Sequence, residues 1–156
     1  MCYMKWEHIH KCHNVNYLLY HFVCPIKNRL KVLRDDHREK ILKEICIEIE
    51  SNYEIYFLEI WTDKDHVHFL IQSVPSLSAT SILRILKSIT WREMFKRVDN
   101  LRKELMWWNF WTSGYYVNTV WKYGSEWIIR EYVKNQWKKN EYRSIHVWQL
   151  RIFDIP

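Results

Sequence analysis

Two histidines one residue apart, His66 and His68, stand inside the otherwise apolar run DHVHFLIQ. Side chains of a β-strand alternate between its two faces, so His66 and His68 are predicted to lie side by side on one face. Neutral imidazoles are the commonest metal ligands in proteins, and this spacing suits two of them on one ion. The alternate apolar residues are predicted to point the opposite way, toward the helices: Val67, Phe69 and Ile71.

A rival pair with the same spacing occurs at His8 and His10, in HIHKCH. That stretch is polar and has no regular period, so we expect nothing to hold these two rings. The chain has 8 histidines in 156 residues, and such a pair arises easily by chance. The alternative for either pair is therefore a set of histidines with no metal, but the strand favours His66 and His68.

A second candidate element is REYVKNQ near the C-terminus, where Tyr132 and Gln136 are four residues apart and so share a helix face. Two imidazoles and the Gln136 amide oxygen would make an open metal site that could take phosphate oxygens. The metal would act as a Lewis acid, and attack by Tyr132 would leave a phosphotyrosine that conserves the energy of the broken bond. The alternative is an ordinary, partly buried tyrosine beside an apolar stripe.

Composition favours one packed domain over residues 1–156, because 48% of the residues are hydrophobic and only 2 are Gly and 3 Pro. The net charge of +6 favours a polyanionic partner, nucleic acid before a membrane.

The start, MCYMKWEHIHK, is too polar for a signal peptide, and no apolar run reaches membrane-spanning length. The four cysteines form no C-x-x-C motif, so we expect a cytoplasmic protein with free thiols. A zinc site using Cys2, Cys12 and nearby histidines is a weaker alternative.

The elements that must position these residues follow from periodicity and capping. Strands are predicted over residues 17–24, 53–61, 66–74 and 114–121, the middle two forming a hairpin. Helices are predicted to begin at Asp35 or Asp36 and at Ser78, the second followed by a further helical pattern to about residue 106. A last helix, capped by Ser125, carries Tyr132 to about residue 139. The order predicts an α+β fold of the split βαβ kind, with an antiparallel sheet and helices on one face.

TDKDHVHFL and REYVKNQ together resemble the single-tyrosine HUH transposases of the insertion-sequence 200/605 type. In TDKDHVHFL an acidic turn leads into the His-hydrophobe-His strand, and REYVKNQ carries the family's Tyr-x-x-x-Gln spacing. Weaker similarity in HNVNYLLYHFV, KNRLKVL and WTSGYYVNTV extends the resemblance from about residue 13 to about residue 138. The family often has a Gly-Gly pair before the tyrosine helix, whereas VWKYGSEW has Gly124 alone.

The resemblance implies a ferredoxin-like fold, a homodimer, and Mg²⁺ or Mn²⁺ bound by His66, His68 and Gln136, with Tyr132 as nucleophile. The tyrosine helix of one subunit can complete the histidine site of the other. The implied substrate is single-stranded DNA with subterminal hairpins at the ends of the element. Cleavage leaves a 5′-phosphotyrosine and a free 3′-OH, and neither a membrane nor a nucleotide cofactor is implied.

Basic side chains in two segments are candidates for contacts with DNA phosphates, each of which steepens the salt dependence of binding by about one counterion. For any single residue, a solvated helix face is an equally good interpretation. Tryptophans that are exposed would stack on unpaired bases, but the sequence does not decide which they are. The candidates for phosphate contact are Lys27, Arg29, Lys31, Arg84, Lys87, Arg92, Lys96, Arg97, Arg102 and Lys103.

Two alternatives to a transposase remain. An HUH nickase of replication or conjugation shares the chemistry, but it usually belongs to a larger chain, often with more than one tyrosine motif. A non-enzymatic nucleic-acid-binding module on the same sheet would leave His66 and His68 merely exposed. Sheets of that shape that bind RNA carry aromatic residues on the open face, whereas the middle strand here carries two histidines and Leu70.

Overall fold

The computed structural model describes residues 8–106 and 109–120, which belong to one compact unit, Met1–Val120. The predicted helix with Ser125, Tyr132 and Gln136 lies outside the described residues, and the single domain over 1–156 stays a prediction. Among the described residues, no helix combines the length and apolarity that crossing a membrane requires. The elements are β1 (Ile9–His10), β2 (Val15–Asn16), β3 (Leu18–Pro25), a 3-10 helix (Lys27–Arg29), α1 (Asp36–Asn52), β4 (Ile55–Thr62), β5 (His66–Ser73), α2 (Ala79–Arg97), α3 (Leu101–Glu104) and β6 (Tyr116–Val120).

The main sheet has the strand order β4-β5-β3-β6, and every neighbouring pair is antiparallel. The strands β3 and β4, which α1 connects, are not neighbours in the sheet. The next strand, β5, forms a hairpin with β4 and lies between the two. This is the split βαβ arrangement, so the predicted ferredoxin-like α+β fold is confirmed. The central strand β5 lies between β4 and β3 and is buried along its whole length, including His66 at its first residue and His68.

The helices begin where the sequence predicts, because polar side chains cap them. The Asp35 carboxylate accepts a hydrogen bond from the backbone N–H of Arg38 at 2.8 Å, and the Ser78 hydroxyl accepts one from Ser81 at 3.1 Å. The helical pattern after Ser78 divides differently from the prediction. One helix, α2, ends at Arg97, because the next residue, Val98, has an extended backbone. The short helix α3 follows after Asn100, which has a left-handed φ of 61°.

The core lies between the sheet and the two long helices. Val67, Phe69 and Ile71 are fully buried in it, as the strand alternation predicts. The structure also decides the roles of two tryptophans. Trp111 is buried and donates its indole N–H to the Thr90 hydroxyl at 2.8 Å, whereas Trp91 on α2 keeps 40% of its surface exposed. Trp107, Trp108 and Trp121 lie outside the described residues.

Candidate metal centre

His66 and His68 lie on the face of β5 opposite the helix-side core, with ring centroids 5.0 Å apart. The predicted side-by-side placement is therefore what the structure has. Both side chains are buried, with exposed fractions of 5% and 4%. This burial contradicts the premise of the binding-module alternative, in which these histidines are merely exposed.

His68 presents a nitrogen that lacks a partner among the described residues. Its Nε2 is buried without a hydrogen bond, while its Nδ1 lies 3.0 Å from Nε2 of His21 on β3. Burial first, and then the neighbouring His21 and His66, lower the pKa of His68 from 6.5 to about 3. A buried polar atom left unpaired costs about 1–3 kcal/mol. A neutral imidazole with such a nitrogen fits a metal ligand, which must be deprotonated to bind.

His66 is oriented by the acidic turn that precedes it. Its Nδ1 lies 2.6 Å from the Asp65 carboxylate and 3.9 Å from that of Asp63. Ligand atoms of these three residues lie within 4.8 Å of one another, so the group could hold a metal ion. The other oxygen of Asp65 pairs with Nε of Arg29 at 2.9 Å. A carboxylate on the far nitrogen is the usual second partner of a metal-binding histidine.

The sequence motifs place Asp63 and Asp65 only in the turn before the histidine strand, and His21 belongs to neither motif. For the aspartates a signal was available, because TDKD directly precedes the histidine strand. For His21 no local signal exists, since it is 47 residues from His68 and reaches it only through β3–β5 pairing. Tyr132 and Gln136 lie outside the described residues, so the third ligand and the nucleophile stay predictions.

The rival pair, His8 and His10, is exposed at the edge of a two-stranded ribbon. The expectation that nothing holds this stretch is wrong, because Ile9 pairs with Asn16 across the ribbon and the His8 ring lies 5.4 Å from that of Tyr17. Neither histidine belongs to a group of three metal-binding side chains within the described part of the chain.

The cysteines described by the structure are free thiols, as predicted: Cys12 is exposed, whereas Cys24 and Cys46 are buried. Burial raises the pKa of Cys24 to about 12, so this thiol is a poor nucleophile and a poor metal ligand at neutral pH. Cys2, which the zinc alternative requires, lies outside the described residues.

The predicted phosphate contacts fall into different environments. Lys87 donates to the carbonyls of Thr112 and Gly114, both at 2.9 Å, and Arg97 pairs with Glu48 and Glu93. Lys87 and Arg97 therefore bind groups of the protein itself and are poor candidates for phosphate contacts. Arg29 adjoins the candidate metal centre through Asp65, and Lys27 is partly buried in the same 3-10 helix. The other candidates are exposed: Lys31, Arg84, Arg92, Lys96, Arg102 and Lys103.

Comparison with known proteins gives a consistent result. A family model described as "Transposase IS200 like" matches residues 14–136. The transposases for insertion sequence element IS200 of Salmonella typhimurium and Salmonella typhi are each 27% identical over 125 residues, 78% of this chain and 78% of theirs.

Two solved structures have a similar fold. One, a Deinococcus radiodurans R1 protein assigned as a transposase, has a TM-score of 0.61 and 26% identity over 82% of this chain and 97% of its own. The other, a REP-associated tyrosine transposase bound to a REP hairpin, has a TM-score of 0.52 and 12% identity over 80% and 67%. The second likeness concerns the fold alone.

Proposed function

The chain belongs to the IS200-like transposase family, and from this premise we propose that it cleaves and rejoins single-stranded DNA at hairpin-bearing element ends through Tyr132. The observation that carries the proposal is the buried imidazole pair, in which the Nε2 of His68 has no hydrogen-bond partner among residues 8–106 and 109–120. An enzyme of this family needs a site for a phosphodiester. A buried pair of histidines, one of which has a ring nitrogen available to a ligand, supports such a site. An ordinary DNA-binding surface does not require a buried histidine pair.

We propose that His66, His68 and Gln136 hold Mg²⁺ or Mn²⁺. The fit rests on the donor set, because both histidines are buried and His68 is neutral at pH 7. The bound ion would supply Lewis-acid polarisation of the scissile phosphate. Asp65 accepts the Nδ1–H of His66 and thereby directs the other ring nitrogen away from the turn. Since its second oxygen is engaged by Arg29, Asp65 acts as an orienting group in this proposal, not as a ligand.

Tyr132 is the proposed nucleophile. Its phenol oxygen forms a bond to phosphorus as its proton is lost, and the bond from phosphorus to the 3′-oxygen breaks. The leaving 3′-oxygen takes up a proton, so the products are a 5′-phosphotyrosine and a 3′-OH. Because the phosphodiester energy is retained in the new ester, attack by another 3′-OH reverses the step and joins strands. Arg29, which pairs with Asp65, lies exposed at the edge of this proposed site.

The proposed partner is single-stranded DNA carrying hairpins, bound by a homodimer. One related structure contains a hairpin, which supports the choice of substrate for this chain. On α2 the exposed Trp91 stands next to Arg92, and together they form a shallow groove of about 390 Å³ with Ser88, Phe95 and Arg102. An aromatic face flanked by guanidinium groups suits nucleic acid.

A covalent-adduct assay tests the proposal. The protein is incubated with hairpin-bearing single-stranded DNA and Mn²⁺ or Mg²⁺, and denaturing gels are examined for a protein–DNA adduct. We expect the adduct to disappear in Tyr132→Phe and in His66→Ala. It should persist in Tyr115→Phe, which removes an exposed hydroxyl of the same kind, and in His8→Ala.

An adduct that persists in Tyr132→Phe would reject the nucleophile, and one that forms without divalent metal would reject the role of the histidines. DNA binding with no adduct under any of these conditions would instead favour the non-enzymatic module.

A further inference from the structure

His21 lies on β3 beside the histidines of the candidate metal centre, although it belongs to neither sequence motif. It pairs in register with Leu70 of β5, so its side chain is a diagonal neighbour of His68 on the same face of the sheet. His21 is 93% buried, and its ring also faces the edge of Tyr116 on β6 at 6.2 Å. Three strands therefore fix the position of this imidazole.

The His21–His68 contact is an in-plane hydrogen bond. The two ring planes differ by 14°, and the centroids are 5.2 Å apart, whereas the bonded nitrogens are 3.0 Å apart. The distance between the centroids exceeds the distance between the nitrogens by about two ring radii. Both nitrogens therefore lie nearly on the line that joins the ring centres. A face-to-face stack would not give this combination. The geometry matches a directed N–H···N bond.

The direction of this bond decides what His68 offers on its other side. A neutral imidazole carries one hydrogen, and the nitrogen without it is the acceptor. If His68 accepts from His21 at Nδ1, its own Nε2 carries the hydrogen and cannot bind a metal. If His68 donates from Nδ1, its Nε2 keeps a free lone pair. Among the described residues this Nε2 is buried without a hydrogen-bond partner, which agrees with a lone pair reserved for a ligand.

We propose that His21 is a positioning residue of the metal site: its Nε2 accepts the Nδ1–H of His68 and so fixes the tautomer in which the His68 Nε2 binds the cation. This inference rests on the proposed function, because it assumes that His68 is a ligand. His21 itself does not touch the metal or the DNA. It does for His68 what the Asp65 carboxylate does for His66.

The test is the affinity of purified, DNA-free protein for Mn²⁺, measured from the loss of the free-ion electron paramagnetic resonance signal. His21→Phe fills similar space and removes the acceptor. We expect it to weaken Mn²⁺ binding by about 10- to 100-fold, the usual effect of losing such a partner. His21→Gln places an amide oxygen near the same point and should restore most of the affinity. His37→Phe, an exposed position on α1, is the matched control and should bind as the wild type does.

A second readout follows the tautomer itself. Long-range ¹H–¹⁵N spectra of the metal-free wild type should show His68 protonated at Nδ1, and His21→Phe should lose this single-tautomer pattern. Circular dichroism identifies any variant that fails to fold, and His21→Leu then replaces His21→Phe as the variant without an acceptor.

Wild-type affinity in a folded variant without an acceptor, or equal losses in His21→Phe and His21→Gln, would overturn this inference while leaving the metal site itself intact. Absence of Mn²⁺ binding in the wild type would instead overturn the proposed metal site, and this inference with it.

Discussion

At the scale of single residues, the two histidines of β5 are held in the same way by partners of different origin. His66 contacts the carboxylate of the residue before it, and His68 contacts an imidazole from the neighbouring strand. In both cases the contact is made at Nδ1. Fixing that nitrogen orients the ring and sets which nitrogen can serve as a ligand. In the proposed metal site, the turn and the neighbouring strand would therefore orient the two rings before a cation binds.

The role of Asp65 gives a prediction at this scale. In Asp65→Asn the amide can still contact His66, but the negative charge that makes the ring a stronger ligand is lost. We expect Mn²⁺ affinity to fall by about 10-fold or more. Isothermal titration calorimetry measures it, with Asp63→Asn as the control, because Asp63 is exposed and 3.9 Å from the ring. An equal loss in both variants would mean that the carboxylates are direct ligands.

At the scale of elements, a buried arginine joins α1 to the segments around it. Arg38 is 8% exposed and donates to the Val32 carbonyl and to both carboxylate oxygens of Glu104 on α3. The same residue closes the cap at Asp35. Because Val32 follows the 3-10 helix that carries Arg29, this network supports the loop at the edge of the candidate metal centre.

The Arg38–Glu104 pair predicts a pH dependence of stability. The hydrogen bond from Arg38 holds the pKa of Glu104 below its usual 4.5. A carboxyl whose pKa is lowered by folding contributes stability that is present above pH 4.5 and is lost as the pH falls through the folded-state pKa. Glu104→Gln should therefore reduce the free energy of unfolding by about 1–3 kcal/mol at pH 7, and the difference should shrink in acid.

Urea denaturation at pH 7 and at pH 3 measures this difference. Glu39→Gln is the control, because Glu39 makes only a 3.9 Å pair with Lys43 on the surface of α1 and should matter by less than about 0.5 kcal/mol. A Glu104→Gln effect of the same size at both pH values would contradict the assignment.

At the scale of the whole molecule, the positive charge has two uses. Lys87 and Arg97 bind carbonyls and carboxylates within the described part of the protein, so they stabilise the fold around α2. Arg84 and Lys96 project from the same helix into solvent. The net charge of +6 therefore does not tell which cations can meet a DNA backbone.

This division predicts different salt dependences for variants of one helix. Arg84→Gln removes an exposed cation, and we expect the slope of log K against log salt for hairpin-bearing single-stranded DNA to decrease by roughly 0.7–0.9. Arg97→Gln should leave the slope unchanged and lower the melting temperature, because Arg97 is paired with Glu48 and Glu93. Fluorescence anisotropy over a salt series measures the slopes. Equal slopes for Arg84→Gln and the wild type would remove Arg84 from the interface.

The sequence by itself determined the strand that carries His66 and His68, the cap at Ser78, and the family. It narrowed the first cap to Asp35 or Asp36, and the structure shows Asp35. These features depend on residues within a few positions of one another, and alternation and capping express such short-range physics directly. The Tyr132 helix was predicted on the same grounds and stays a prediction.

Only the tertiary structure decided which other side chains join the two histidines. His21 meets His68 because β3 and β5 pair in one register, and a shift by one residue would turn His21 to the opposite face. Arg29 reaches Asp65 by the folding of the 3-10 helix against the β4–β5 turn. Register and chain path arise from packing of the whole sheet, so no local pattern encodes these contacts.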